Sequence, residues 1–304
     1  MKKILLIVAI IFATTLTAFA QFSGGSGTQA DPYQITSKAD MEALADSLYH
    51  NGAWSVNKYF SLMNDITDSI TRPIASLQYT SANDYWYGNF DGNNHRIICA
   101  IDSNYTYDCA LFGINSYTSV IRNLIVDGYI KCSTGQRAAA IASDNYGLIS
   151  NCVNLAKITN NSLYAGGITN INFGTIERCT NLGTIESSEG TGGICAIIHA
   201  GQLVDCVNAG LVFSYGSYYS CCGGIAGEAT NGTITRCINT NAVEGTLSAG
   251  TLNVGAIVGN IYSTLTITDC FYDIQMCKYK AVNNQDHPGV TGLPTHLLME
   301  ELAK

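Results

Sequence analysis

Between Gly147 and Cys270, apolar and polar residues alternate in short runs that are separated by glycine and asparagine. One phrase, Gly-x-(Ile/Leu)-x-x-Cys-x-Asn, occurs four times and then a fifth time in a shortened form. The steps between successive cysteines are 27, 27, 31 and 33 residues, and the cysteines are Cys152, Cys179, Cys206, Cys237 and Cys270. Periods of this size are typical of stacked repeat arrays.

A second alternating run precedes each copy of the phrase, at 137–141, 165–168, 191–194, 222–225 and 254–257. A period of two predicts strands, and no helical period is present between Tyr105 and Tyr272. A unit this short cannot bury its own apolar face, but coils stacked about 4.8 Å apart can share a continuous core. The pattern therefore predicts an all-β fold, a right-handed parallel β-helix (β-solenoid) of some six coils.

Stacking in register would place equivalent residues of successive coils in columns. We expect an inward apolar column made of Ile149, Ile176, Leu203, Ile234 and Ile267. The five cysteines should form a second buried column of reduced thiols, although the coil spacing also permits disulfides. Asn154, Asn181, Asn208 and Asn239 should stack their side-chain amides. The residues before the cysteines, Asn151, Arg178, Asp205, Arg236 and Asp269, should form an outward ladder of alternating charge.

The segment before the repeats predicts one helix. Ser37 is a candidate N-cap, and Met41, Leu44, Ala45 and Leu48 share one face of that helix. An amphipathic helix in this place would cover the open strand edges of the first coil. The expected organisation is a signal peptide over 1–20, a cap with one helix and a first strand over 21–70, solenoid repeats over 71–277, and a C-terminal tail or capping segment over 278–304.

The first twenty residues have the composition of a secretory signal. Lys2 and Lys3 precede an apolar run, and Ala18 and Ala20 frame a small-x-small cleavage site, so we expect cleavage after Ala20 and a secreted or cell-surface protein. No later apolar run is long enough to span a bilayer. Charged residues make up 12% of the chain and the net charge is −8, which argues against a nucleic-acid partner.

Several motifs resemble the GLUG-motif repeat proteins of bacterial surfaces. They are the Gly-Ser-Gly-Thr-x-Ala-Asp-Pro-Tyr-x-Ile segment that ends at Ile35, Phe-Asp-Gly-Asn-x-His at 90–95, Leu-Phe-Gly at 111–113, and the repeated Gly-Gly-Ile and Gly-x-Ile-x-x-Cys-x-Asn phrases. The resemblance covers nearly the whole chain after the signal. It implies an exported β-solenoid of the adhesin type and carries over no catalytic residue.

Parallel β-helices also host polysaccharide lyases and glycoside hydrolases, which use paired carboxylates or a carboxylate cluster with a basic residue. Asp84, Asp91, Asp102, Asp108 and Asp127 lie around the first coils with Arg96, Arg122 and Lys131. Convergence of these side chains in one cleft would favour an enzyme. The five histidines are scattered without metal-ligand spacing, so the sequence predicts neither a metal nor another cofactor.

Aromatic residues in the segments between repeats are the candidate ligand-binding residues, because an exposed ring can stack on a sugar or anchor a protein interface. They are Tyr85, Trp86, Tyr87, Tyr215, Tyr218 and Tyr219. The alternative is that these rings only cover coil edges. The sequence therefore favours an exported, non-catalytic surface protein that binds a glycan or an extracellular protein, with a carbohydrate-active enzyme and a structural spacer as the competing hypotheses.

Overall fold

The computed structural model describes residues 22–49, 51–75, 85–103, 108–134, 137–216 and 219–303. It has two α-helices, α1 Lys38–Leu48 and α2 Thr295–Leu302, and a 3-10 turn at Gly52–Ser55. The first strands are β1 Tyr33–Ile35, β2 Tyr59–Leu62, β3 Ile66–Ile70, β4 Tyr85–Trp86, β5 Asn89–Asp91, β6 Arg96–Ser103, β7 Asp108–Cys109, β8 Phe112–Asn115, β9 Val120–Arg122 and β10 Ile125–Cys132. The next are β11 Arg137–Ala139, β12 Ala142–Asn145, β13 Leu148–Ser150, β14 Val153–Asn154, β15 Lys157–Asn160, β16 Tyr164–Gly166, β17 Thr169–Asn172, β18 Thr175–Glu177, β19 Thr180–Asn181, β20 Ile185–Ser187 and β21 Gly190–Gly192. The last are β22 Cys195–Val204, β23 Val207–Asn208, β24 Val212–Ser214, β25 Tyr219–Gly223, β26 Ala226–Thr235, β27 Ile238–Asn239, β28 Val243–Gly245, β29 Thr251–Gly255, β30 Val258–Thr268, β31 Cys270–Asp273 and β32 Val290–Leu293.

These strands form three sheets that run along a solenoid of about eight turns. The first sheet follows the order β1-β2-β5-β9-β13-β18-β22-β17-β12-β8-β4, with β26 and β30 continuing from β22. The second follows β28-β24-β20-β15-β10-β14-β19-β23-β27-β31-β32 with β6 and β3 beside β10, and the third follows β29-β25-β21-β16-β11-β7. The predicted fold class, a parallel β-helix with an N-terminal helical cap, is confirmed.

One inward column of side chains crosses the whole length of the first sheet. Strand register places nine residues opposite one another in it: Tyr33, Phe60, Phe90, Ile121, Ile149, Ile176, Leu203, Ile234 and Ile267. The five repeat positions predicted for this column are confirmed, and all five are buried. The expected number of six coils is wrong, because aromatic residues fill this column before the repeated phrase begins.

The repeat cysteines form the expected second column inside the solenoid. None of the twelve cysteines, all of which are described, forms a disulfide, and all are buried. The Cys179 thiol lies 3.8 Å from the Ile149 carbonyl oxygen of the coil before it and 3.4 Å from the Glu177 carbonyl oxygen of its own coil, as a weak donor would. Burial raises the pKa of Cys179 and of Cys195 well above its usual value. Such thiols pack as small apolar groups and are poor nucleophiles.

Thiol counting should find the cysteine column reduced. After unfolding without a reductant, we expect a mass-detected alkylating reagent to modify Cys152, Cys179, Cys206 and Cys237 completely, since the structure leaves all four free. The same reagent should modify none of them in the folded protein, because they are fully buried. Recovery of a peptide that links two neighbouring members of the column would contradict this expectation.

The stacked asparagines predicted from the repeat are confirmed. Asn154 Nδ2 donates to Asn181 Oδ1 at 2.7 Å, Asn181 Nδ2 to Asn208 Oδ1 at 2.7 Å, and Asn208 Nδ2 to Asn239 Oδ1 at 2.8 Å. A second asparagine stack, which the sequence did not predict, joins Asn115, Asn145 and Asn172 at the end of the first sheet. Both stacks satisfy buried polar groups at turns of the solenoid.

The residue before each column cysteine makes the turn between the first two sheets. These residues have φ between 49° and 54°, and they are Asn151, Arg178, Asp205, Arg236 and Asp269. Asn123, which precedes Leu124, has the same conformation with a φ of 52°. The predicted charge ladder is formed in part. Arg236 contacts both carboxylate oxygens of Asp205 at 2.6 and 2.9 Å, whereas Arg178 donates to Asn151 Oδ1 at 3.0 Å and also pairs with Glu177.

The two helices lie at opposite ends of the strand array. The Asp40 amide donates to the Ser37 hydroxyl at 3.3 Å, which caps α1, and the predicted apolar face of α1 is buried. Strand β1, which precedes α1, already pairs with β2 in the first sheet. At the other end β32 pairs with β31, and α2 buries Leu298.

Candidate functional site

The Trp86 side chain is buried, although the sequence led us to expect an exposed ring. Its side chain is fully buried in strand β4, and its ring centroid lies 5.3 Å from Phe60 and 5.2 Å from Phe112. The expected exposure is wrong because Tyr85-Trp86-Tyr87 alternates like any strand, which turns the central ring inward. The buried Trp86 ring has no face available for a sugar or a partner protein.

Tyr85 and Tyr87 begin a row of rings along the outside of the solenoid. Tyr85 stacks on Tyr87 at 6.0 Å and on Tyr146 at 6.4 Å, and Tyr146 stacks on Phe173 at 4.4 Å and an interplanar angle of 5°. His199 meets Phe173 edge-on at 5.0 Å. Tyr146 and Phe173 follow the stacked residues Asn145 and Asn172, and His199 follows Ile198, the partner of Asn172 in strand β22. This row was not predicted from the sequence, although Tyr146, Phe173 and His199 recur at steps of 27 and 26 residues.

The remaining aromatic candidates lie in the later coils. Tyr215 is half-buried and donates its hydroxyl to Asn161 Oδ1 at 3.0 Å. Tyr219 belongs to strand β25 and not to an exposed loop. Its hydroxyl oxygen lies 2.8 Å from the Cys221 sulfur. Tyr218 lies outside the described residues. Ligand binding by Tyr85, Tyr87, Tyr215, Tyr218 and Tyr219 stays a prediction.

The acidic and basic candidates of the first coils form three separate ion pairs. Asp91 pairs with Arg122 at 2.9 Å, Asp127 with Arg96 at 3.1 Å, and Asp102 with Lys131 at 3.2 Å. Strand register places Asp91 and Arg122 on the first sheet and the other two pairs on the second. Among the described residues, these side chains therefore do not converge in one cleft. Asp84 lies outside those residues, and only the backbone of Asp108 is described.

One of these pairs lines a cavity on the outer face of the first sheet. The cavity has a volume of about 250 Å³. Its floor consists of outward side chains from the neighbouring strands β2, β5 and β9, and Gln29 and Pro32 of the N-terminal segment form its wall. The polar side chains that line it are Gln29, Tyr59, Ser61, Asn89, Asp91 and Arg122. The cavity thus combines amide, hydroxyl, carboxylate and guanidinium groups with the ring of Tyr59 on its polar side.

Asp91 is held as an anion in this cavity. Burial acts to raise its pKa, but hydrogen bonds from the Asn123 side chain, the Asn93 amide and Arg122 outweigh burial and hold the pKa below its usual value. Its Oδ1 accepts from the Asn93 amide and from Asn123 Nδ2, both at 2.9 Å, and its Oδ2 accepts from Arg122 Nε. A carboxylate that is ionised and saturated in this way can orient a ligand but is poorly suited to act as a general acid.

Comparisons with known proteins support the architecture. No protein-family model matches the chain. The protein halomucin of Haloquadratum walsbyi (strain DSM 16790 / HBSQ001) is 28% identical over 162 residues, which is 49% of this chain but 2% of the length of halomucin. The crystal structure of a proposed immunoglobulin A1 protease from Bacteroides ovatus superposes with a TM-score of 0.68 and 18% identity, over 93% of this chain and 90% of that chain. At this identity the likeness shows the fold alone.

Two further features of the described residues concern the expected partners. None of the helices described is long and apolar enough to cross a bilayer. Likewise, the described His, Cys, Asp and Glu side chains include no group of three that could hold a metal ion. The predicted resemblance to GLUG-motif repeat proteins stays a prediction, since no comparison tests it.

Proposed function

We propose that this protein is an exported, non-catalytic binding module of the cell surface, of the adhesin type, and that its ligand is a glycan bound in the cavity beside β2, β5 and β9. The observation that carries the proposal is the composition of that cavity. Sugars are recognised by planar polar side chains that donate and accept hydrogen bonds around an aromatic ring, and Arg122, Asn89, Gln29 and Tyr59 are groups of these kinds. The basic and apolar leader of the sequence supports export.

A rigid scaffold favours binding at this place. Each strand of the cavity floor is paired on both sides, so the floor side chains keep a fixed spacing when a ligand is absent. A preformed site loses less conformational entropy on binding than a mobile loop. The carbohydrate-active alternative would require a second carboxyl group close to the sugar. Among the described residues that line the cavity, Asp91 supplies the one carboxyl group, and its charge is already neutralised by the ion pair with Arg122.

A glycan array should locate the ligand and the residues that bind it. We expect Arg122→Gln to weaken binding of the glycans that wild type retains by at least about tenfold, because hydrogen bonds to a charged group are worth about 1.5–3 kcal/mol. Asp91 keeps its bonds from Asn93 and Asn123 in this variant, so the fold should persist. Affinity for each retained glycan would then be measured by calorimetry.

Arg236→Gln is the matched control for this variant. Arg236 and Arg122 side chains are both 55% exposed and both pair with an aspartate, but Arg236 lies far along the array from the cavity. Equal losses in the two variants would contradict a site at the cavity. Degradation of any polysaccharide by wild type would overturn the non-catalytic proposal, and retention of no glycan would favour a structural spacer.

A further inference from the structure

The third and the first sheet meet at a bend of the solenoid. Residues seven apart face each other across this bend, as the ion pair between Arg137 and Asp144 shows. Strand register carries the Arg137 position through Tyr164 and Gly190 to Cys221. It carries the Asp144 position through Ile171 and Ile197 to Glu228. Cys221 and Glu228 are therefore the equivalents, three coils further on, of a paired arginine and aspartate.

In the described part of the chain Glu228 has no cationic partner, whereas the equivalent residue Asp144 pairs with Arg137. The residue is 8% exposed, and its Oε1 atom is buried without a hydrogen-bond partner in the described part of the chain. Cysteine stands opposite it where Arg137 stands opposite Asp144. No Lys, Arg or His of the described residues forms an ion pair with Glu228 or with its acidic neighbour Glu189. A buried carboxylate without a cation is costly, so such a group is commonly part of a site.

Carboxylates, weak acids and one amide lie around Glu228 and Cys221. We name as the Glu228 cluster Tyr164, Glu189, Tyr219, Cys221, Glu228, Asn253 and Tyr262. The hydroxyl oxygens of Tyr219 and Tyr262 lie 2.8 and 4.0 Å from the Cys221 sulfur, and Asn253 Nδ2 lies 3.5 Å from it. Tyr164 packs over Gly190, where any Cβ atom would lie 2.3 Å from the ring. Glu189 contributes a second negative charge.

The electrostatics of the cluster agree with a missing cation. The pKa of Glu228 is raised to about 7, chiefly by burial and also by the charge of Glu189, although a hydrogen bond with Cys221 lowers it in part. Burial also raises the pKa of Glu189. The pKa of the Cys221 thiol is raised by burial and by Glu228, which makes this cysteine a poor nucleophile. The cluster is suited to holding a positive charge and not to thiol chemistry.

We propose that the Glu228 cluster binds a primary ammonium group, which pairs with Glu228 as Arg137 pairs with Asp144. An ammonium ion offers three N–H donors, which the Glu228 carboxylate and the hydroxyl oxygens of Tyr219 and Tyr262 can accept. The surrounding rings add cation–π attraction. Tyr262 is 52% exposed, so the cluster extends to the surface of the protein on the Tyr262 side. The proposal does not depend on the glycan cavity. Lysine side chains and amino sugars both carry this group.

Paired probes test the charge and separate the two sources. Calorimetry would compare glucosamine with N-acetylglucosamine, and Nα-acetyl-lysine methylamide with its Nζ-acetylated form. In at least one pair we expect the amine to bind and the acetylated partner not to bind. The pair with the higher affinity identifies the source. Equal binding of amine and acetylated probe in both pairs, or no binding of either amine, would overturn the proposal.

Two variants assign the binding to Glu228. Glu228→Gln keeps the shape of the side chain and should weaken amine binding at least about tenfold, since it removes a charge-assisted hydrogen bond. Cys221→Arg should abolish binding by supplying the cation from within the chain. The matched control is Glu186→Gln. In the wild-type protein the Glu186 carboxylate already pairs with Lys157 at 3.0 Å. Arg122→Gln should leave amine binding unchanged, so that failure of the glycan site and failure of this site can be told apart.

The pH dependence provides an independent readout. Glu228 is neutral below its pKa of about 7 and charged above it, while a lysine ammonium stays charged through this range. Binding of Nα-acetyl-lysine methylamide should therefore strengthen as the pH rises from about 5.5 to about 8.5. The Glu228→Gln variant should lose this dependence. If Glu228→Gln showed the same pH dependence of binding as wild type, the assignment to Glu228 would be contradicted.

Discussion

Replacing Trp86 with alanine should lower the free energy of unfolding by about 3–5 kcal/mol, the cost of deleting a large buried ring. The Trp86 ring lies between Phe60 and Phe112 and joins the aromatic core of the first coils. Its indole Nε1 is buried without a hydrogen-bond partner within the described residues. Trp86→Phe should therefore cost less than Trp86→Ala. Urea unfolding followed by circular dichroism would measure both changes.

Trp54, the other tryptophan of the chain, supplies the matched control. Its ring is half-buried, stacks on Tyr33 at 6.2 Å and lies under the Lys58 ammonium at 4.7 Å. Trp54→Ala should destabilise the protein less than Trp86→Ala, because part of this ring is already in water. A larger loss for Trp54→Ala, or a loss below about 1 kcal/mol for Trp86→Ala, would contradict the placement of Trp86 in the core.

Asn181→Ala should cost about 2–4 kcal/mol, since each buried polar group that loses its partner costs about 1–3 kcal/mol. Asn181 is the middle of the asparagine stack. Its Nδ2 donates to Asn208 and to the Gly183 carbonyl, and its Oδ1 accepts from Asn154 and from the Gly183 amide. Alanine would remove all four bonds from a fully buried site. The midpoint of thermal or urea unfolding would measure the loss.

Asn161→Ala is the comparison for the asparagine stack. Asn161 is exposed, and its side chain accepts one hydrogen bond from Tyr215. Its loss should change stability by no more than about 0.5 kcal/mol. Equal unfolding midpoints for Asn181→Ala and Asn161→Ala would contradict a contribution of the amide stack to the stability of the protein.

The sequence predicted those parts of the solenoid that repeat with the same chemistry. Ile149, Ile176 and Cys179 lie where the repeated phrase places them, because one register repeats from coil to coil. The earlier coils were predicted less completely: the predicted solenoid over 71–277 includes Phe90 but assigns Phe60 to the cap, since phenylalanine replaces isoleucine and no cysteine or asparagine follows at the repeat spacing. Parallel stacking needs only matching shape and polarity, so these coils join the array without repeating its letters.

The candidate sites were harder to predict than the fold. Trp86 lies between two tyrosines in a segment without the repeated phrase, and only its strand alternation indicates that it points inward. The Glu228 cluster depends on a bend that brings positions seven apart together, which no short-range period shows. Asp91 and Arg122 were both candidate residues, so their pairing could have been predicted. Their cavity could not, because the N-terminal segment that completes it is distant in sequence.

The direction of the hydrogen bonds between coils has a mechanical consequence. Each parallel ladder bonds one coil to the next, so these bonds point along the long axis of the solenoid. Tension applied along this axis loads the interfaces in series, and the weakest interface opens first while its neighbours stay closed. A coil of 27 residues, such as the one from Cys152 to Cys179, releases about 90 Å of extended chain when it opens. An array built in this way lengthens stepwise under load and gives up its coils one at a time.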